Sequence, residues 1–203
     1  STKERLSRLM TAAVLSAGAI SLFGIIQRLT WNGKLFWLRE GQYTNPFGPF
    51  VNRNSYAAFA GTILPIALCM ALNALRQMQK GSRDAFPRLL LCAFASTSMA
   101  AGIALSLSRG GLLSAGLSVL VIGVMLMYYG RRVMEVALVA AILAASVLLL
   151  VWIGPEMVIE RVGTLSEGQS IPSFAQRMKA WSQSTAMIAD HPFLGAGFGA
   201  FRF

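Results

Sequence analysis

Charge is what this 203-residue chain has least of: Asp, Glu, Lys and Arg make up 13% of it, against 55% hydrophobic residues. That balance excludes a disordered or fibrous chain, neither of which is this apolar. Acid is scarcer still, with 8 Asp and Glu against 18 Lys and Arg, for a formal net charge of +10. Such an excess invites nucleic-acid binding. The basic residues are scattered over polar segments between apolar runs, however, and form no continuous stripe, so no nucleic-acid partner is expected. Attraction to anionic lipid head groups accounts for the same excess. There are two cysteines, Cys69 and Cys92, and one histidine, His191. Two isolated cysteines without a C-x-x-C motif give no disulfide framework, and with a single histidine they give no structural metal site. Both lie in apolar runs, where cysteine behaves as a small buried hydrophobe.

What the chain has in quantity is uncharged length. Leu9–Gln27, Asn54–Leu75, Leu89–Ser108, Gly110–Gly130 and Val136–Pro155 carry no charged residue. Roughly 20 mostly apolar residues cross a hydrocarbon core of about 30 Å as a helix. The expected fold is therefore all-α and polytopic: five transmembrane helices over residues 1–155, then a polar segment, 156–203. Leu9–Gln27 is long for a signal-peptide core and lacks a small-x-small cleavage site. The chain opens at Ser1 and stops at Phe203 within a glycine-rich tract, as expected of a piece cut from a longer protein.

Five spans put the two ends on opposite sides. The compact basic clusters Lys3–Arg8, Arg76–Arg88 and Arg131–Arg132 then share one face, which the weight of Lys and Arg near span ends assigns to the cytoplasm. The other face carries arginines that topology does not require. Small residues four apart, such as Gly110 and Ser114 or Gly111 and Ala115, allow close helix approach in lipid. The stretch Ser173–Asp190 reads as an amphipathic helix outside the membrane. Ser173 and Gln176 resemble a capping box, Phe174, Met178, Trp181, Thr185 and Ile188 share one face, and Pro192 stops the helix.

Three constellations stand where charge meets lipid. Before the second span runs Gly48-Pro-Phe-Val-Asn-Arg53-Asn54-Ser55. Its polar groups are costly to desolvate without partners, and Asn54 or Ser55 also suits a helix cap. Between the third and fourth spans runs Leu105-Ser-Leu-Ser-Arg109-Gly-Gly111. A tight turn there draws on glycine, and Arg109 either presents its planar fork to a phosphate or snorkels to lipid head groups. The third is Arg177, Trp181 and then Asp190-His-Pro-Phe-Leu-Gly-Ala-Gly-Phe-Gly-Ala-Phe201. It lacks the strand and helix of a dinucleotide fingerprint. His191, directly before a proline, suits capping or packing as well as general-base chemistry.

In this order and between these spans, the three motifs resemble the O-antigen ligase and polymerase superfamily of bacterial envelope glycan assembly. Phe50-Val-Asn-Arg-Asn-Ser-Tyr-Ala57 looks like its boundary motif, with Ser55 where many members have histidine. Ser108-Arg-Gly-Gly111 looks like its turn, and the tract from Arg177 to Phe201 looks like the start of its large periplasmic loop. The resemblance implies a multi-pass protein of the bacterial inner membrane, N-terminus cytoplasmic and residues 156–203 periplasmic. It implies a glycosyltransferase that moves a glycan from an undecaprenyl-diphosphate carrier to a glycan or lipid A–core acceptor, in lipopolysaccharide or exopolysaccharide assembly. No cofactor, nucleotide or metal is implied, because the diphosphate linkage drives the reaction. Arg109, Arg53 and Asn54, with Arg177 as a further cation, are the expected substrate-binding residues. The expected catalytic base is a histidine beyond Phe203, so the 203-residue piece alone is expected to be inactive. A membrane scaffold or a small-anion transporter are the alternatives. The second would need polar groups at the membrane midplane, and these spans carry no ionisable residue there.

Overall fold

The computed structural model describes residues 2–40, 46–128, 133–153, 172–191, 195 and 197. Among these, the chain is helical: α1 (Thr2–Leu29), α2 (Arg53–Gln79), α3 (Ala85–Leu105), α4 (Arg109–Tyr128), α5 (Val133–Ile153) and α6 (Pro172–Asp190). The first five are each long and apolar enough to cross a membrane. Twenty-residue α4 alone extends about 30 Å at 1.5 Å per residue. A helix is what an apolar solvent demands, since every backbone group must find its partner within the segment. The serines inside the spans obey the same rule. Ser96 donates to the carbonyl of Cys92 at 2.7 Å and Ser146 to that of Ile142 at 2.8 Å, one turn back in each case. This is a multi-pass membrane protein.

The chain divides into two units, Ser1–Val158 and Ile159–Phe203. In the first, α1 to α5 run up and down. α2 and α3 are the centre: half of the most apolar stretch of each is buried, against 17% in α4 and 22% in α5. α1 packs chiefly on α3 and also on α2, α4 lies on α2, and α5 lies on α3. Small residues permit this spacing, as association in lipid requires. A methyl group on Gly18 would stand 2.9 Å from the Ala95 Cβ of α3, and one on Gly61 2.9 Å from the Ser114 hydroxyl of α4. Gly111 leaves the matching gap for Ala57. Of the small pairs in α4, Gly111 and Ser114 face α2, whereas Gly110 faces open space.

At the end where α2 finishes, Arg76 grips Glu135 in the first turn of α5. Nε donates to Oε1 at 2.8 Å and Nη2 to Oε2 at 2.9 Å, and the carboxylate side chain is 2% exposed. In the second unit α6 starts on Pro172, where proline's missing N–H and fixed φ suit the first helical turn. Ser173 is therefore inside the helix and is not its cap. The helix ends at Asp190, as the proline two residues on requires.

Candidate anion-binding site at one end of the helix bundle

The end of the bundle opposite the Arg76–Glu135 pair is built from two of the sequence motifs. The 46–57 segment has a structural explanation at nearly every position. Phe47 and Phe50 pair across a short turn, and Gly48 adopts φ 57, a left-handed conformation that favours glycine, as it passes Gly24 of α1. Asn52 is the N-cap of α2, with its side-chain oxygen accepting the Asn54 N–H at 2.8 Å. The cap is thus neither Asn54 nor Ser55, both exposed in the first turn. Tyr56 is fully buried. Its ring lies 4.2 Å from that of Phe47, and its hydroxyl donates to Ser21 of α1 at 2.9 Å. Ser21 in turn donates to the Ala17 carbonyl at 2.7 Å. On α3, Gly102 leaves room for the Tyr56 hydroxyl, where any side chain would collide with it. One tyrosine therefore ties together α1, α2 and α3.

The second motif corrects the expected glycine turn. α3 stops at Leu105 and α4 begins on Arg109 itself, so the turn is Ser106–Ser108, and it is Leu107 that takes the left-handed conformation, at φ 54. Serines hold it. Ser106 donates to the Ile103 carbonyl at 2.6 Å, and the Ser108 hydroxyl accepts the Gly111 N–H at 3.3 Å, capping α4. Gly110 and Gly111 are helical, and Gly111 serves contact with Ala57 in place of backbone relaxation.

These parts enclose a small recess open to solvent, lined by Arg28, Pro46, Phe47, Arg53, Leu105, Ser106 and Leu107. Arg53 is half-buried in its wall. Arg28, in the last turn of α1, is the residue that sequence reading missed: it follows the first uncharged run directly, but no local motif marks it. Arg109 is exposed. It stands two residues before Gly111, whose contact Ala57 is one turn along α2 from Arg53. Three arginines drawn from α1, α2 and α4 thus gather at one end, with no carboxylate among the lining residues. α2 and α4 run parallel and both start here, so the positive ends of two helix dipoles add to the same field. Guanidinium forks and helix starts form a donor set suited to an oxyanion, and to a phosphate above all. Arg177 lies in α6, in the other unit; its side chain is outside the described residues, as is most of the tract that follows His191.

Two comparisons find no counterpart: no curated protein and no solved structure matches the chain. A third does. A family model described as O-antigen ligase matches residues 93–203, from within α3 through Arg109 and Arg177 to the last residue. That stretch is more than half of the sequence and carries two of the three motifs, and on it the chain belongs to the O-antigen ligase family.

Proposed function

We propose that this chain supplies the donor side of a membrane glycosyltransferase. The enzyme would transfer a glycan from undecaprenyl diphosphate to a glycan or lipid A–core acceptor at the outer face of the bacterial inner membrane. The observation that carries the reading is the recess that Arg28 and Arg53 line, with Arg109 starting the adjacent helix. In the transfer, an acceptor hydroxyl oxygen bonds to the anomeric carbon as the bond from that carbon to the diphosphate oxygen breaks. The electron pair leaves with the diphosphate. Cations placed beforehand around that oxygen stabilise the charge as it develops, and they do so most strongly where water is excluded. Arg53, fixed by the Asn52 cap and the buried Tyr56 one turn on, is the positioned member; Arg28 lines the same recess from α1, and Arg109 starts the neighbouring α4. The other half of the reaction, removal of the acceptor proton by a general base, is assigned to the part of the protein that binds the acceptor.

The test is transfer from an undecaprenyl-diphosphate-linked glycan by the intact protein in proteoliposomes. Arg109→Ala and Arg53→Ala are expected to lower the rate by about 100-fold, the scale of losing one preorganised donor to a developing anion, while membrane insertion stays normal. Arg→Lys at either position is expected to restore only part of it, because the planar fork is lost. Full transfer by both alanine variants would reject the assignment of this end as the donor site.

A further inference from the structure

Immediately after α1 the chain makes a small hairpin that neither the helix bundle nor the anion site requires. Leu35 and Arg39 pair as an isolated antiparallel bridge. Between them Phe36 and Trp37 are both left-handed, at φ 55 and 60, a region that bulky residues rarely enter. Such strain persists only where the surroundings impose it. Here the rings of Phe36 and Trp37 close on Phe23 of α1, at 5.8 and 5.7 Å between centroids.

Phe23 stands at the edge of the packed side of α1. It is about 200° around the helix from Ser21 and Ile25, both buried against the bundle, while Gln27, one turn on, is also buried. To its other side Leu22 and Ile26 stand exposed at 37% and 45%. The hairpin thus folds back along the lipid-facing flank of a membrane span, below the helix end. It leaves Leu38 84% and Phe36 39% exposed at its tip.

Its polar groups are largely closed internally, as hydrocarbon demands and water does not. The Leu35 N–H goes to the Arg39 carbonyl, those of Leu38 and Arg39 to the Leu35 carbonyl, and that of Trp37 to Lys34. Asn32 donates to the Trp37 carbonyl at 3.2 Å, and the Trp37 indole N–H reaches both oxygens of Thr30. Lys34 and Glu40 neutralise each other at 2.7 Å. Trp31 and Trp37 are of the type enriched where membrane meets water.

We propose that residues 31–40 form an interfacial hairpin whose apolar tip, Phe36 and Leu38, is seated in the acyl chains of the bilayer at the Arg28 end of α1. The occupant follows from continuity, because the tip extends the lipid-facing flank of α1 itself. The consequence is depth. Arg28 is five residues beyond Phe23, about 7.5 Å along the axis, so a tip held in hydrocarbon keeps Arg28 near the level of the head-group phosphates. This inference rests on the membrane assignment and not on the transfer reaction.

A nitroxide at position 38 tests it. Leu38→Cys is introduced with Cys69→Ala and Cys92→Ala into the intact protein, which is reconstituted in phosphatidylethanolamine–phosphatidylglycerol vesicles. Paramagnetic resonance then compares collisions with oxygen, which concentrates in hydrocarbon, and with a water-soluble nickel chelate. The expected result is a several-fold preference for oxygen, matching a reference label at Ile26→Cys and opposite to one at Ser82→Cys. A label at 38 that meets the chelate as freely as the one at 82 places the hairpin in water and overturns the proposal. A label shielded from both reagents overturns it too, because protein and not lipid would then cover the tip.

Discussion

The two ends of the α1–α5 bundle use arginine in opposite ways. At one end Arg76 meets a carboxylate with two hydrogen bonds, and the pair sits between α2 and α5. At the other, Arg28 and Arg53 line a recess whose remaining walls are Pro46, Phe47, Leu105, Ser106 and Leu107, with Arg109 close by. A bidentate pair around a buried carboxylate is saturated: its partners hold the helices together and have little left to offer a ligand. Two cations lining one recess, with no carboxylate among its other lining residues, are a different arrangement, a concentration of positive charge that suits an anion. The difference separates a fastening from the proposed binding site, and it assigns separate expected effects to substitutions at the two ends.

The largest expected effect is at the recess. Arg28→Ala combined with Arg53→Ala removes both lining cations and is expected to reduce glycan transfer by about 1,000-fold, the upper range for loss of preorganised electrostatic stabilisation. Unfolding in detergent should move little. A double variant with normal transfer would erase the contrast between the ends.

At the opposite end the pattern should invert. Arg76→Ala takes the guanidinium from a carboxylate that is 2% exposed, at an expected cost of about 3 kcal/mol in stability. Transfer per folded molecule should stay at the parent level, as read by denaturant titration alongside the transfer assay. Replacing both partners with apolar residues, Arg76→Met with Glu135→Leu, should recover most of the loss, since a well-packed apolar pair avoids burying charge. Loss of activity without loss of stability in Arg76→Ala would mean that this end also takes part in function.

Much of this was legible in the sequence, and the failures have specific physical causes. The five spans announce themselves because lipid tolerates no charge. Arg53 and Arg109 stand out because a charge beside a long apolar run needs a reason. Arg28 carries the same reason but no surrounding motif; only the fold, by bringing the end of α1 to the start of α2, places it in one recess with Arg53. Glu135 looked like a residue just outside the fifth run. Its partner lies 59 positions away, and no periodicity reports a pair at that separation. The glycines after Arg109 suggest a tight turn made by glycine, yet Ser108 caps a helix that begins before them. Helical glycine in lipid lets a neighbouring helix approach closely, as Gly111 does for Ala57. The segment after Leu29 read as a plain polar connection, because left-handed Phe36 and Trp37 are conformations that tertiary contact imposes and composition does not foretell.

Gly102 is the next test in order of size. Gly102→Ala drives a methyl group into the Tyr56 hydroxyl, and overpacking of this kind costs about 2 kcal/mol. It should also disturb transfer, because Tyr56 is one turn from Arg53 and any displacement carries to the recess. An Ala100→Gly control on the same helix should spare transfer.

The smallest effect is the most discriminating. Tyr56→Phe keeps the ring against Phe47 and removes only the hydroxyl that donates to Ser21 at 2.9 Å. The Ser21 hydroxyl still donates to the Ala17 carbonyl, so no donor is stranded and the cost should be near 1 kcal/mol. If Tyr56 only fastens α1 to α2, the variant melts slightly earlier and its transfer rate is unchanged. If the bond also sets the angle at which Arg53 enters the recess, the rate falls further than the stability, and Ser21→Ala reproduces the fall. The first outcome keeps fastening and binding as separate layers of the same end; the second makes the buried hydroxyl pair a positioning element for the arginine above it.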